Sequence, residues 1–429
     1  MFGFANFLLL ALFAAAVFDL IFALARGGGL RGALHGLWNT PHLLFGQQLA
    51  EWRLQLGRIL FAAGLAAYEI SVVFCNSMAR QNWAWVQGVM SPVLEWLAFL
   101  CFGAKILFGT RYTWRELLAG GALYFIARWV YFNSQNIWWI GIVVAVLAAK
   151  DVPLRRPLQV YFASGCAAMA VVLALHFAGI VAPDLTSERM GALRGTYGYG
   201  HPNTFGGLVF GLVLAYALLR AQKVRWVDCL LVFAVGVFLL VGPASRSAAL
   251  CMLALTVGLV FCRLRAGHSV PRWWPGTCAG MVGLTAAVSY LLPLLVIKVG
   301  PWNNDIGPAW LAKLDSLLTC RISLTWMAYR LLDVKIAGQV FNWPTVDNSF
   351  AFALFQFGPV VAALLGILFA AALLGHAKQG RRVEVCCLFA MLAYAYMEVQ
   401  PFHLTTNPTA LLLCGAVFAQ TSARWQKIE

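Results

Sequence analysis

Charge is scarce in this chain. Only 11% of its 429 residues are Asp, Glu, Lys or Arg, about half the share of a soluble domain. With 62% hydrophobic residues and a mean hydropathy of +0.78, that shortage excludes a soluble enzyme and predicts a polytopic membrane protein. Cysteine motifs are missing as well. The eleven cysteines lie nearly all inside apolar runs, no CxxC occurs, and no His/Cys cluster has zinc spacing. They read as small buried hydrophobes. No Walker loop, HExxH helix or metal-nucleotide carboxylate motif appears, which argues against ATP or nucleotide-sugar chemistry and leaves no cofactor or metal to expect. No internal repeat, low-complexity tract or linker divides the sequence, so residues 1–429 read as one integral membrane domain. The apolar N-terminus, Phe2 to Ala25, lacks a basic leading region and reads as a retained first span, not a removed signal.

What is present is hydrocarbon. A helix crosses a bilayer core with about 20 apolar residues, and by that measure thirteen spans are expected. They are 3–25, 59–75, 86–109, 115–132, 136–149, 158–182, 204–220, 226–241, 248–262, 274–298, 349–375, 384–397 and 409–423. The fold class is therefore all-α, a transmembrane helical bundle. A large loop, 299–348, separates the tenth and eleventh spans. Within it Leu314, Leu318, Ile322, Trp326 and Tyr329 recur at helical spacing. This predicts an interfacial helix capped by Asp315 or Ser316, presenting Arg321 inward and broken by Gly338 and Pro344. Most of the seventeen tryptophans fit interfacial aromatic belts.

The net charge of +15 follows from topology. Loops after odd-numbered spans and the C-terminal tail carry 21 of the 31 basic residues, which puts the N-terminus outside and the C-terminus inside. Nucleic acid is thereby excluded as a partner. Ten basic residues fall on the other side: Arg80, Arg128, Arg189, Arg194, Arg246, Lys298, Lys313, Arg321, Arg330 and Lys335. An ionisable group near an apolar run is expensive and usually has a task.

Four outer loops hold the unusual chemistry. The stretch Arg189–Gly207 is glycine-rich and carries Arg194 and His201-Pro-Asn203. Glycine allows another molecule to approach the backbone, and arginine presents a donor fork that suits phosphate oxygens. One reading is an arginine that neutralises a diphosphate beside a histidine that moves a proton; the other is a headgroup contact and a helix cap. Arg246, in the tight turn Gly242-Pro-Ala-Ser-Arg-Ser247, reads either as a phosphate cradle or as a snorkelling arginine. Asp347-Asn348 and Glu398 are polar groups at helix ends, suited to bind sugar hydroxyls, orient arginines or supply a base. The expected catalytic set is Arg194, His201, Arg246 and Arg321, with His201 the first candidate base. Substrate contacts are expected from Arg189, Tyr199, Asn203, Ser245, Asp347, Asn348, Glu398 and His403.

Taken in order, these segments resemble the Wzy-type polysaccharide polymerases of the O-antigen ligase superfamily. The matching stretches are Arg194-Gly-Thr-Tyr-Gly-Tyr-Gly-His-Pro-Asn203, Ser245-Arg-Ser247, Leu317-Leu-Thr-Cys-Arg-Ile322, Gly338, Val346-Asp-Asn-Ser349 with Gly358, and Glu398 with Asn407. The resemblance implies a GT-C-type, metal-independent glycosyltransferase in the bacterial inner membrane. Such enzymes join oligosaccharide repeat units carried on undecaprenyl diphosphate at the periplasmic face, with a flippase and a chain-length regulator as partners. It also implies that Arg194, Arg246 and Arg321 bind the diphosphate while His201, Asp347, Asn348 and Glu398 line the acceptor side. Related ligases carry a functional histidine in the large loop, and residues 299–348 contain none, which favours a polymerase. The competing expectations are a ligase that passes glycan to another acceptor, and a flippase for the lipid-linked oligosaccharide.

Overall fold

In a bilayer every backbone N–H and C=O must find its partner within the protein, so long apolar runs fold as helices. The computed structural model describes residues 2–25, 29–46, 48–181, 187–189, 192–296 and 308–418. Its helices begin with α1 Phe2–Ala25, α2 Gly29–Asn39, α3 Ala50–Cys75, α4 Ser91–Phe108, α5 Trp114–Ser134, α6 Ile137–Ala148, α7 Arg155–Phe177 and α8 Pro202–Leu219. They continue with α9 Trp226–Val241, α10 Arg246–Leu264, α11 Trp274–Leu291, α12 Ala309–Leu317, α13 Arg321–Leu331, α14 Pro359–Lys378 and α15 Arg382–Met397. Two short ladders interrupt the all-helical plan: His42–Leu43 with Arg111–Tyr112, and Ser187–Arg189 with Ala192–Arg194.

Among the described residues, eight helices are long and apolar enough to cross a membrane. They are α1, α3, α4 with the π turn before it, α7, α8, α10, α11 with the 3-10 turn after it, and α14. The expected spans at 136–149, 226–241 and 384–397 are shorter helices of 12, 16 and 16 residues. Two expected spans are not continuous helices. The one at 349–375 is a single turn, Ser349–Phe352, then a π turn, Ala353–Phe357, and only after Gly358 the helix α14. The one at 409–423 is a 3-10 segment, Pro408–Leu413, and one α-turn, Cys414–Val417; from 419 it lies outside the described residues.

α8 is the most enclosed span, with 72% of its apolar window buried, against 22% for α1 and α11. The chain after α15 lies along α8 in irregular form. An alanine Cβ at Gly211 would stand 2.5 Å from the Thr405 carbonyl oxygen and 2.8 Å from the Thr406 Cα, so glycine is what admits that backbone. Non-helical chain at this depth needs its own hydrogen bonds. Tyr161 donates to the Thr405 carbonyl, Asn407 Nδ2 donates to the Pro401 carbonyl at 2.9 Å, and Asn407 Oδ1 accepts from the Ala410 N–H at 3.1 Å.

The large loop, described from residue 308, departs from its expected single helix. Leu318–Cys320 divides α12 from α13, with positive φ at Thr319 (58°) and Cys320 (64°). Asp315 is the cap, but from inside α12 it caps the next helix. Its Oδ1 accepts from the N–H groups of Ile322 and Ser323 at 2.7 and 3.2 Å, and its Oδ2 from the Ser323 hydroxyl at 2.8 Å. α13 ends at Leu331, well before Gly338 and Pro344.

At the end of the bundle away from this loop, Lys105 and Lys150 are buried. Lys105 donates to the Thr110 hydroxyl at 2.7 Å and to the Lys150 carbonyl, while Lys150 pairs with Glu116 at 3.3 Å and Asp151 at 3.5 Å. Arg128 donates to Asn6 at 2.7 Å and lies over the Phe132 ring, which ties α5 to α1.

Candidate active site

Four polar side chains from three parts of the sequence meet at one end of α8, α10 and α15. Arg194 ends the second strand of the small ladder, where Nη2 donates to Asn203 Oδ1 at 2.9 Å and to the Ala244 carbonyl at 3.2 Å. Asn203, in the first turn of α8, donates from Nδ2 to Glu398 Oε1 at 3.0 Å across 195 positions of sequence. Glu398 follows α15 and receives Arg321 Nη2 at 2.6 Å. The result is a relay, Arg194–Asn203–Glu398–Arg321, with both arginines and the carboxylate buried. Arg321, the first residue of α13, is held from every side. It donates to the Leu318 carbonyl at 2.8 Å, the Ser247 hydroxyl at 3.2 Å, the Met397 carbonyl and the Thr319 hydroxyl.

Local conformation explains how these groups converge. Pro243 and Ala244 turn the chain between α9 and α10, and Ala244 adopts a positive φ of 49°. That turn aims its carbonyls at Arg194. The left-handed pair Thr319–Cys320 swings α13 so that its first residue faces α15. Burial of both ions demands good geometry, because removing a charge from water costs several kcal/mol unless it is paired and hydrogen-bonded.

Glu398 is the group of consequence for pH. Burial pushes its carboxyl up to about 7, against the pull of Arg321 and the Ser247 hydroxyl, and the nearby charge of Asp347 adds to the rise. A carboxyl raised in the folded state binds more protons there than in the unfolded chain across the window from its ordinary value of 4.5 to about 7. Stability therefore falls as pH rises through that window. We expect the melting temperature of the purified protein to drop between pH 5 and pH 7.5, and Glu398→Gln to flatten that slope; an identical slope in the variant would assign the effect elsewhere.

The remaining predicted residues take several positions. Arg246 opens α10, exposed, between Ser245 and the Ser247 that receives Arg321. His201 caps α8: its Nδ1 accepts from the Asn203 N–H at 3.1 Å, which places the ring proton on Nε2. Ser245 is buried and packs against Gly206. Asp347 is half-buried near Glu398. Asn348 is a structural cap, accepting from Phe350 N–H at 2.9 Å and Ala351 N–H at 3.1 Å and donating to Ser289 at 3.1 Å.

One expected substrate contact is corrected. Tyr199 is fully buried and packs its ring on Phe205, so it anchors the glycine-rich loop in the apolar core instead of facing a ligand. His403 is half-buried and lies against the Trp138 ring with centroids 3.7 Å apart. The side chain of Arg189 lies outside the described residues. Thr319, Ser349 and the carbonyls of Pro243, Ala244 and Met397 also belong to the site. All but Met397 lie in stretches the sequence singled out, but not as site groups, since carbonyl positions follow from turns and helix ends alone.

Beside the relay runs an apolar cleft of about 120 Å³. Trp139, Tyr290, Ser349, Phe369, Leu392 and Phe402 are among its lining residues. The Ser349 hydroxyl donates to the Glu398 carbonyl at 2.5 Å, so the cleft and the charged relay share a wall. From there the cleft extends to Val146 and Leu413, toward the other end of the bundle. The arrangement offers fixed positive charge, one carboxyl poised near neutrality and adjacent apolar space. Compared with known proteins, the chain matches no protein-family model, no curated protein and no solved structure.

Proposed function

We propose that this chain is a membrane glycosyltransferase that joins oligosaccharide repeat units carried on undecaprenyl diphosphate, in the manner of a Wzy-type polymerase. The observation that supports it most is the relay itself. Two arginines from distant loops are fixed around one carboxylate, beside a cleft suited to a hydrocarbon tail. A lipid diphosphate is already an activated leaving group, so catalysis needs positive charge where the diphosphate departs and alignment of the attacking hydroxyl. In this reading Arg194 receives the diphosphate oxygens, Arg246 approaches from the rim, and Arg321, whose five N–H donors are all engaged, lends its positive charge from behind. The bond between the sugar anomeric carbon and the phosphate oxygen breaks, and a new one forms to an acceptor hydroxyl. Glu398 takes that hydroxyl's proton. Its carboxyl near 7 suits general-base work better than an ordinary carboxylate, and His201 is engaged in capping α8. The working orientation is N-terminus outside, with the relay facing the periplasm across the bacterial inner membrane.

The test is reconstitution. Purified protein with lipid-linked repeat unit, and no nucleotide, should yield a ladder of products on a gel. Arg194→Ala should reduce the ladder by about 100-fold or more, the usual loss when one donor to a developing charge is removed. The rate should fall as pH drops below about 7, opposite in sign to the stability slope, and Glu398→Gln should abolish the ladder at every pH. A single addition to a different acceptor would indicate a ligase, and translocation without bond formation a flippase; either result ends the polymerase reading.

A further inference from the structure

The end of the bundle remote from the relay holds a second gathering of cations. α10 and α15 each begin or end at the relay, and their other ends, at Leu264 and Arg382, stand about 25 Å away by helical rise. There a cavity of about 570 Å³ is lined by Lys223, Arg225, Arg263, Arg381, Arg382 and Glu384, together with neighbouring backbone. Two arginines build its frame. Arg220 pairs with Asp228 at 3.2 Å, and Arg382 donates to the carbonyls of Arg265, His268 and Ser269. The side chains of Lys223, Arg225, Arg263 and Arg381 form no hydrogen bond or ion pair with any described residue, and Glu384 is the one acid in the cavity wall.

Helix ends do not balance this charge. α8, α10 and α14 terminate here while α9 and α15 begin here, and each end carries about half a charge, negative at a C-terminus and positive at an N-terminus. With Glu384 the net is about one and a half negative charges, against four cations without a partner among the described residues. The rim is apolar and open: Trp226, Val227 and Leu230 of α9 and Leu264 of α10 are between 53% and 70% exposed. A strongly cationic hollow opening onto apolar helix surface matches a ligand with a phosphate head and hydrocarbon tails.

We propose that this cavity binds the phosphodiester headgroup of an anionic lipid from the leaflet on that side. Basic pockets between membrane helices do so through the same charge complementarity. The proposal is independent of the glycosyl-transfer reading, because it involves none of the relay residues. Native mass spectrometry of the full-length protein in detergent, titrated with phosphatidylglycerol or phosphatidylcholine, tests it. The wild type should retain phosphatidylglycerol and not phosphatidylcholine. Each cation contributes about fivefold near a membrane surface, so Arg225→Gln/Arg263→Gln should weaken retention about thirtyfold. Both residues are exposed, and Arg225→Lys/Arg263→Lys should keep binding near the wild-type level. Arg156→Gln removes an exposed cation outside the cavity and should change little. Equal retention by the Gln double variant, or an equal loss in Arg156→Gln, would overturn the site. Displacement of the lipid by inorganic phosphate at similar concentration would assign the cavity to a soluble phosphate and defeat the lipid proposal.

Discussion

Arg321→Ala is expected to be the most damaging single substitution at the site, and to act twice. Its guanidinium answers Glu398 at 2.6 Å and holds Ser247 and the Leu318 and Met397 carbonyls. Removing it leaves a carboxylate that is only 4% exposed without a counter-charge. Breaking a buried pair in this way costs about 3–5 kcal/mol where the carboxyl is ionised, and less at acid pH, where burial already holds it protonated. Activity should fall further than stability explains, by about 1,000-fold, because in the proposed reaction the lost charge also stabilises the departing diphosphate. The two effects separate in a double variant. Arg321→Ala/Glu398→Gln removes the stranded charge and should recover much of the melting temperature, yet make no product ladder. Arg321→Lys should melt between the two, since an ammonium keeps the charge but lacks the planar fork that reaches several acceptors at once. A wild-type melting curve and ladder for Arg321→Ala would remove the relay from both stability and chemistry.

The second large effect is expected at Gly358, where the apolar run 349–375 breaks. Gly358 has φ of 88°, and a Cβ there would collide with the Ile336 carbonyl. Gly338, with φ of 73°, faces the Gln356 carbonyl in the same way. Each glycine thus lets the backbone of the loop 332–348 press against the helix break, and Gln339 N–H donates to the Gln356 carbonyl at 3.2 Å. Pro359 restarts the helix at a position where no N–H is required. Gly358→Ala adds left-handed strain of about 1–3 kcal/mol to a clash with backbone, which cannot rotate away as a side chain would. The loop should detach, carrying Asp347 and the Asn348 cap with it. Loss of monodisperse protein on size-exclusion chromatography is the expected outcome. Gly366→Ala, in open space on the same segment, should behave as wild type. Normal behaviour of both variants would show that the packed loop contributes little.

Much of the site was legible before any fold was known, because arginine beside an apolar run is costly and therefore informative. Arg194, Asn203, Arg321 and Glu398 all stood out on that ground or by resemblance. Their pairing did not. Hydrogen bonds that cross 195 positions depend on which helices are neighbours, and hydropathy carries no neighbour information. Tyr199 misled for a related reason: a polar ring in a loop reads as exposed until the loop is seen to fold into the core.

The sequence by itself determined that this is a helical membrane protein and, through the asymmetry of its basic residues, which loops should share a side. Those properties depend on composition and order along the chain, since burying apolar residues and keeping charge near water are local demands. Only the tertiary structure decided that two apparent spans are broken, that the loop helix is two helices joined by left-handed residues, and that Asn203 joins Arg194 to Glu398. These follow from close approach of backbones at Gly211, Gly338 and Gly358 and from turns whose carbonyls fix the arginines. Such contacts are set by the packing of the whole bundle, and no segment specifies them alone.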